Sequence, residues 1–227
     1  MYKEVGYEDY VGLFGYSENA SFQNIICEDI YIMVDKADTD FRPNWGGEVF
    51  VGGIVGGTPG EENVTNITNC CVNGAISIIN CSDAFVGGIV GLTGINKIIN
   101  CTNRTNISVI SNKDGRYEKD GEIYVGGIVG KASRYGGANI ERCYNYGNLV
   151  LEGADVYGGG ISGEDGHIVK CINKGKIEGK ANAPQYVTYG GIGGIVGETS
   201  HTVIESVNIV VQLSRHKFNI FIMNRYM

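Results

Sequence analysis

Proline, tryptophan and histidine are scarce in this chain of 227 residues, which has 3, 1 and 3 of them respectively. So little proline beside 36 glycines excludes a collagen triple helix and argues against a proline- and glycine-rich disordered chain. No apolar run reaches about 18 residues, so no membrane insertion is predicted. Lys and Arg number 18 against 25 Asp and Glu, and the net charge of −7 argues against nucleic acid as a partner.

Sequence signatures of common hydrolases are missing too. There is no HExxH motif of a zinc peptidase and no G-x-S-x-G motif of a serine hydrolase. The first residues, MYKEVGYEDYVG, contain no apolar segment typical of a signal peptide. We therefore expect a fragment of a larger protein that needs no cofactor and adjoins further domains.

A glycine-rich hexapeptide recurs along the chain. VGGIVG occupies residues 51–56, 86–91 and 125–130, and near-copies occupy 10–15, 158–163 and 192–197. The spacing of 33 to 41 residues defines six repeats that start near residues 10, 50, 85, 124, 157 and 191. Self-similarity at this period is the signature of a repeat architecture.

Each repeat contains three short runs with β-strand composition, and none has the 3.6-residue apolar period of a helix. Such units bury their inner faces only by stacking, at about 4.8 Å per coil. The sequence therefore predicts an all-β parallel solenoid of about six coils over residues 1–212, with three short strands per coil. A β-propeller needs four strands per repeat, and the glycine and β-branched content excludes helical repeats. Residues 213–227 lie outside the repeat and are either a cap or a disordered tail.

The hexapeptide has two interpretations. Residues 158–163 fit G-x-G-x-x-G, which can bind a phosphate, but only between a strand and a helix. Turn and strand residues follow here, so the sequence favours a structural corner where glycine permits positive φ or close backbone approach. We expect the isoleucine of the corner to point inward in every coil. The structural glycines are Gly53, Gly56, Gly88, Gly91, Gly127, Gly130, Gly160, Gly163, Gly194 and Gly197.

Five of the seven cysteines follow the hexapeptide in one repeat phase: Cys27, Cys70, Cys101, Cys143 and Cys171, with Val207 in the last copy. The three histidines do not share a phase, so a metal site is not predicted. Stacked cysteine side chains also fit disulfide torsions poorly. We expect Cys70, Cys101, Cys143 and Cys171 to be buried reduced thiols that act as small apolar residues, and Cys71 and Cys81 to be the more reactive ones. The frequent Asn-x-Ser/Thr triplets are interpreted as turn asparagines and stacked asparagine columns.

The combination of GGIVG with a downstream Cys-x-Asn resembles the GLUG-motif repeats of bacterial surface proteins. The copies that carry the resemblance are GGIVG…IINCTN, GGIVG…IERCYNYGN and GGISG…IVKCINKG, and it extends from about Tyr10 to Val211. It implies a right-handed parallel β-helix. It also implies an adhesin-like protein at the bacterial cell surface or secreted, or the non-catalytic N-terminal region of an immunoglobulin A peptidase. The first and last copies depart from the motif, as terminal repeats tend to do.

The links between repeats alternate in length. Long links at residues 35–48, 111–122 and 179–189 alternate with short ones, and insertions at one repeat position emerge on one edge of a solenoid. We expect this edge to bind a glycan or host protein, although its rings could instead fold back over the coil. The candidate binding residues are Phe41, Arg42, Trp45, Arg116, Tyr117, Tyr186 and Tyr189.

The favoured function is therefore a non-catalytic module that acts as binding edge or spacer. The alternative is a polysaccharide lyase or hydrolase of the β-helix type, whose best candidate cluster is Glu164, Asp165 and His167.

Overall fold

The computed structural model describes residues 8–36, 48–58, 60, 64–81, 83–94, 96–111, 122–133, 137–181 and 190–209. Coils 1 to 3 contain β1 (Glu8–Val11), β2 (Phe14–Tyr16), β3 (Ser21–Gln23), β4 (Ile26–Asp35), β5 (Glu48–Gly52), β6 (Val55–Thr58), β7 (Asn66–Thr68), β8 (Cys71–Ile79), β9 (Ala84–Gly87), β10 (Val90–Thr93), β11 (Lys97–Ile99) and β12 (Thr102–Ile110). Coils 4 to 6 contain β13 (Glu122–Gly126), β14 (Val129–Ala132), β15 (Asn139–Glu141), β16 (Tyr144–Asn145), β17 (Leu149–Gly153), β18 (Asp155–Gly159), β19 (Ser162–Glu164), β20 (His167–Val169), β21 (Ile172–Asn173), β22 (Ile177–Ala181), β23 (Gly190–Gly193), β24 (Val196–Glu198), β25 (Val203–Ile204) and β26 (Val207–Asn208).

These strands form four parallel sheets, so the chain is an all-β parallel solenoid of six coils. The first sheet is β1-β5-β9-β13-β18-β23, and the second is β2-β6-β10-β14-β19-β24. The third is β3-β7-β11-β15-β20-β25, and the fourth runs from β4 through β8 and β12 to the broken strands of coils 4 to 6. The prediction of three strands per coil was wrong, because the hexapeptide contains the end of one strand and the start of the next. Residues 213–227 lie outside the described residues, so the cap or tail stays a prediction.

The described residues contain no helix with the length and apolarity needed to cross a membrane.

The middle of the hexapeptide is the bend between the first and second sheets, as predicted. Ile54 lies in this bend, and its N–H donates to the carbonyl of Ile89 in the next coil at 3.0 Å. Ile54, Ile89, Ile128 and Ile161 are fully buried, whereas Ile195 in the last coil is partly buried. The following valine is also fully buried in coils 2 to 4, because the isoleucine occupies the bend and strand alternation begins only after it.

The interior contains two apolar clusters. One packs the bend isoleucines against the third sheet and the start of the fourth. The other packs the first sheet, for example Val49 and Val51, against the later part of the fourth. A third cluster lies on the opposite face of the first sheet, where the rings of Tyr10, Phe50, Phe85, Tyr124 and Tyr157 stack with centroids 4.7 to 5.1 Å apart. Stacking of equivalent residues therefore organises the outside of the coil as well as its interior.

The second glycine of the hexapeptide allows close approach across the interior. A Cβ atom on Gly88 would lie 2.2 Å from Cγ of Asn103, and one on Gly127 would lie 2.3 Å from Cγ of Asn145. Positive φ, the other reason that the sequence suggested, does not apply, since no described glycine of the hexapeptides adopts it. Positive φ occurs instead at the corner between the third and fourth sheets, at Asn24, Asn69, Asn100, Arg142, Lys170 and Glu205.

The cysteine column is shorter than predicted. Cys71 pairs with Thr102 and Thr102 with Tyr144, which aligns Cys70, Cys101, Cys143 and Cys171 in coils 2 to 5. The assignment of Cys27 was wrong, since it pairs with Val72 and Ile25 takes the cysteine position. The assignment of Val207 was also wrong: it pairs with Ile172, which leaves Ser206 opposite Cys171. Asn24 aligns with Asn69, so matching the asparagines and not the cysteines gives the correct alignment of coil 1.

Candidate functional site

The links from the fourth sheet to the first leave the solenoid along one edge. The last residues of the fourth-sheet strands are paired in register, namely Asp35 with Ile79, Ile79 with Ile110, Ile110 with Glu152 and Glu152 with Lys180. Links 36–47, 111–121 and 182–189 are long, whereas links 80–83 and 154 are short. The three long links are therefore rooted on one edge at intervals of two coils, as the sequence predicted.

All seven residues predicted to bind a ligand belong to these long links and lie outside the described residues. They are Phe41, Arg42, Trp45, Arg116, Tyr117, Tyr186 and Tyr189. The structure shows only where these links leave and rejoin the solenoid.

The base of this edge carries charges of both signs. Glu48 and Glu122 both lie opposite Asp83 in register, and Glu122 pairs with Asp155. Asp83 accepts a hydrogen bond from the N–H of Glu122 at 3.0 Å, and the hydroxyl of Tyr124 donates to Glu122 at 2.8 Å. Two cations lie at the same roots, Lys36 and Lys180.

Glu164, in the turn that suggested an enzyme, is not displayed to solvent. Its side chain is 4% exposed, and its carboxylate is 2.6 Å from the ammonium of Lys131. That ammonium lies 3.9 Å from the centroid of the Tyr124 ring, against the aromatic stack. Burial, and next the charge of Glu122, raises the pKa of Tyr124, so the hydroxyl stays protonated as a donor. Glu164 therefore supports packing between coils 4 and 5.

Asp165 is also buried, and it organises the neighbouring coil. Oδ1 of Asp165 accepts from the N–H of Ser200 at 2.9 Å and from its hydroxyl at 3.0 Å. The same oxygen lies 3.1 Å from Nδ1 of His201, whose ring meets that of His167 edge-to-face at 4.7 Å.

This arrangement differs from a Ser-His-Asp triad. In a triad the serine and the carboxylate use opposite nitrogens of the histidine, whereas here Ser200 and Asp165 both approach Nδ1 of His201. Glycoside hydrolysis needs two carboxyl groups beside the scissile bond, yet Glu164 and Asp165 are 3% and 2% exposed. The structure thus brings the predicted residues together as a buried turn.

The cysteine column forms part of the core. Cys70, Cys101, Cys143, Cys171 and also Cys81 are buried and free of disulfides, and Cys27 and Cys71 are partly buried. The expectation that Cys81 is among the more reactive thiols was wrong in terms of access, since it packs in the second apolar cluster. Burial raises the pKa of Cys143, which keeps it neutral. Among the described residues no group of three or more His, Cys, Asp or Glu could hold a metal ion.

An asparagine ladder lies beside the cysteines. Asn103 donates to Asn145, Asn145 to Asn173 and Asn173 to Asn208, each at 2.8 Å from Nδ2 to Oδ1. Each of the first three also exchanges hydrogen bonds with the backbone two residues ahead. This ladder and the hexapeptide glycines packed against it fill the coil interior. The glycines therefore serve close packing, and no room is left for a phosphate.

The outward face of the fourth sheet carries a feature that sequence reasoning missed. Arg104, Tyr146 and Lys174 occupy one outward column in coils 3 to 5. Cζ of Arg104 lies 4.7 Å from the centroid of the Tyr146 ring, and Nζ of Lys174 lies 5.1 Å from it. The signal was available in CTNR, CYNY and CINK, where each of these residues follows the column cysteine by three.

The chain matches no protein-family model, no curated protein and no solved structure.

Proposed function

We propose that this solenoid is a non-catalytic, surface-exposed module of a bacterial adhesin-like or host-interacting protein. It presents a binding edge, or holds neighbouring domains of a larger parent protein apart, at the cell surface or after secretion. The observation that carries the proposal is the common rooting of the three long links on one edge. The long links follow alternate coils, and the strand ends on which they are rooted pair in register, which is typical of a recognition surface on a rigid scaffold.

The resemblance to GLUG repeats supports the same proposal. Its two half-motifs correspond to the bend between the first two sheets and to the strand that carries the cysteine and asparagine columns. The buried Glu164 and Asp165 do not favour the alternative of a polysaccharide-degrading enzyme, which rests on them.

A binding screen against glycans and host proteins tests the proposal. We expect the intact chain to bind at least one glycan or host protein, and a Trp45→Ala, Tyr117→Ala variant to lose on the order of tenfold or more in affinity, because aromatic anchors dominate binding energy. Tyr31→Ala is the matched control, since Tyr31 is 72% exposed on the fourth sheet in coil 1, away from the long links. Binding that survives the double substitution would place the site elsewhere. Release of reducing ends or unsaturated sugars in the same screen would favour the enzyme.

A further inference from the structure

Most described cations of this acidic chain already have a carboxylate partner. Of the nine described Lys and Arg residues, six form ion pairs: Lys36, Lys131, Arg142, Lys170, Lys176 and Lys180. Within the described ranges, Lys97, Arg104 and Lys174 have no such pair. Two of these three flank a single tyrosine ring. Among the described residues, Arg104 and Lys174 therefore form a patch of two neighbouring cations without a carboxylate partner, and such a patch attracts an anion.

The arrangement of the patch is linear. Arg104 and Lys174 lie two coils apart, roughly 9–10 Å along the solenoid axis, with Tyr146 between them. Both faces of the Tyr146 ring are occupied by the cations, which hold it by cation–π attraction. The ring is nevertheless 38% exposed, so its free edge and hydroxyl are available outward. The three side chains form a row of donors, guanidinium, phenol and ammonium, parallel to the axis.

Neighbouring side chains on the same face extend this row with amides. Oδ1 of Asn106 accepts from the N–H of Asn148 at 3.0 Å, and Oδ1 of Asn148 accepts from the N–H of Lys176 at 3.0 Å. These bonds orient each exposed amide and leave its NH₂ group as a donor toward solvent. A ligand that lies along the axis would thus meet cations and neutral donors at regular intervals.

We propose that the outward column Arg104–Tyr146–Lys174 binds an anionic polysaccharide lying along the solenoid axis. Two coil spacings are about the length of two sugar rings, so acid groups two rings apart can meet the guanidinium and the ammonium. Sugar hydroxyls are suitable acceptors for the donors of Tyr146, Asn106 and Asn148. An acidic peptide satisfies the cations but offers no hydroxyl row to the amides. The column is six strand residues, roughly 20 Å, from the long-link edge, so either site can fail without the other.

The test measures binding of the whole chain to polygalacturonate and to heparin at low and at physiological salt, beside neutral dextran and poly-glutamate. We expect one or both acidic polysaccharides to bind and dextran not to bind. Arg104→Ala combined with Lys174→Ala should weaken that binding on the order of tenfold or more, as expected for the loss of two charge-assisted contacts. Tyr146→Phe retains the ring and should cause a smaller loss.

A charge-matched control distinguishes a site from general electrostatics. Lys97→Ala combined with Lys180→Ala also removes two positive charges, but from exposed positions on the third sheet and at the far end of the fourth. This control variant should bind within about twofold of the unaltered chain. Equal losses in the two double variants would overturn the site. Failure of both acidic polysaccharides to bind would also overturn it, as would poly-glutamate binding equally tightly. Circular dichroism of each variant verifies that the solenoid is intact.

Discussion

Two columns of the fourth-sheet corner lie three residues apart in each coil, and asparagine serves a different purpose in each. The inner column contains Asn103, Asn145, Asn173 and Asn208 in coils 3 to 6, buried except at the last coil. The corner column contains Asn24, Asn69 and Asn100 in coils 1 to 3 and then changes to Arg142, Lys170 and Glu205. Coils 1 and 2 place Cys27 and Val72 at the inner position, so the inner column becomes asparagine from coil 3 onward, whereas the corner column stops being asparagine after coil 3.

The difference follows from what each position requires. Within the buried ladder, an interior asparagine both donates and accepts twice to satisfy its neighbours, which an amide of this length does. At the corner the requirement is a positive φ, which asparagine adopts more readily than other non-glycine residues. The corner asparagines also form hydrogen bonds, from Asn69 to Asn24 and from Asn100 to Asn69, each at 3.3 Å, but these bonds are exposed to solvent. Buried hydrogen bonds therefore maintain asparagine in the inner column from coil 3 onward, whereas backbone conformation biases the corner.

The most severe test of this contrast is Asn145→Ala. Asn145 makes four buried hydrogen bonds, with Asn103, Asn173 and the N–H and C=O of Gly147. Each partner left unsatisfied costs about 1–3 kcal/mol, so we expect the free energy of unfolding to fall by about 4 kcal/mol or more. Urea denaturation measures the change.

Asn100→Ala is the matched control for Asn145→Ala. Asn100 is exposed with φ of 53°, donates to Oδ1 of Asn69 at 3.3 Å and accepts from Nε of Arg142 at 2.9 Å. Because solvent can replace these exposed hydrogen bonds, its substitution should cost only about 1–2 kcal/mol, mostly for alanine in the αL conformation. If the two variants lose equal stability, the distinction between the columns is wrong.

The next effect in size comes from the glycine that faces the ladder. A Cβ atom on Gly127 would lie 2.2 Å from the carbonyl oxygen of Gly160 and 2.3 Å from Cγ of Asn145. Stacked backbones on both sides resist displacement, so Gly127→Ala should destabilise by about 3 kcal/mol. Combining it with Asn145→Ala removes one of the two clashes, and the double variant should be more stable than the sum of the single losses by about 1 kcal/mol. If denaturation shows that the stability losses of the two single variants add up to the loss of the double variant, the added Cβ atom at Gly127 does not compete with the Asn145 side chain for space.

The sequence predicted the repeat, the bend and the stacked cysteines, because these depend on residues that recur at one spacing. Cys101, Cys143 and Cys171 follow their glycines in the same way and align in the structure. Ser206 was missed although Ile204 and Asn208 flank it as Ile99 and Asn103 flank Cys101, so the information was present in the spacing. The fourth strand of each coil was missed because the bend divides one hydrophobic block into two strands.

Other features could not be predicted from periodicity. Gly88 and Asn103 belong to different blocks of one repeat, and their contact depends on how the bend folds across the coil interior. The constant offset from the cysteines marks Arg104, Tyr146 and Lys174 in the sequence, but that all three side chains face outward follows only from the strand alternation in the structure. Register, which determines both features, comes from the stacking of neighbouring coils.

The smallest expected effect is a gain in stability at the corner. Arg142 has a φ of 51°, a conformation that costs arginine on the order of 1 kcal/mol and asparagine less. Its exposed ion pair with Glu141 contributes at most about 0.5 kcal/mol. Nε of Arg142 also donates to Oδ1 of Asn100 at 2.9 Å, and an asparagine at position 142 can donate to the same oxygen, as Asn100 does to Asn69. Arg142→Asn should therefore raise the free energy of unfolding by about 0.5 kcal/mol, visible as a small rise in Tm. Arg142→Ala removes the same ion pair without relieving the backbone and should be no more stable than the parent. If both variants shift Tm in the same direction by the same amount, the arginine side chain and not its backbone conformation determines stability at this corner.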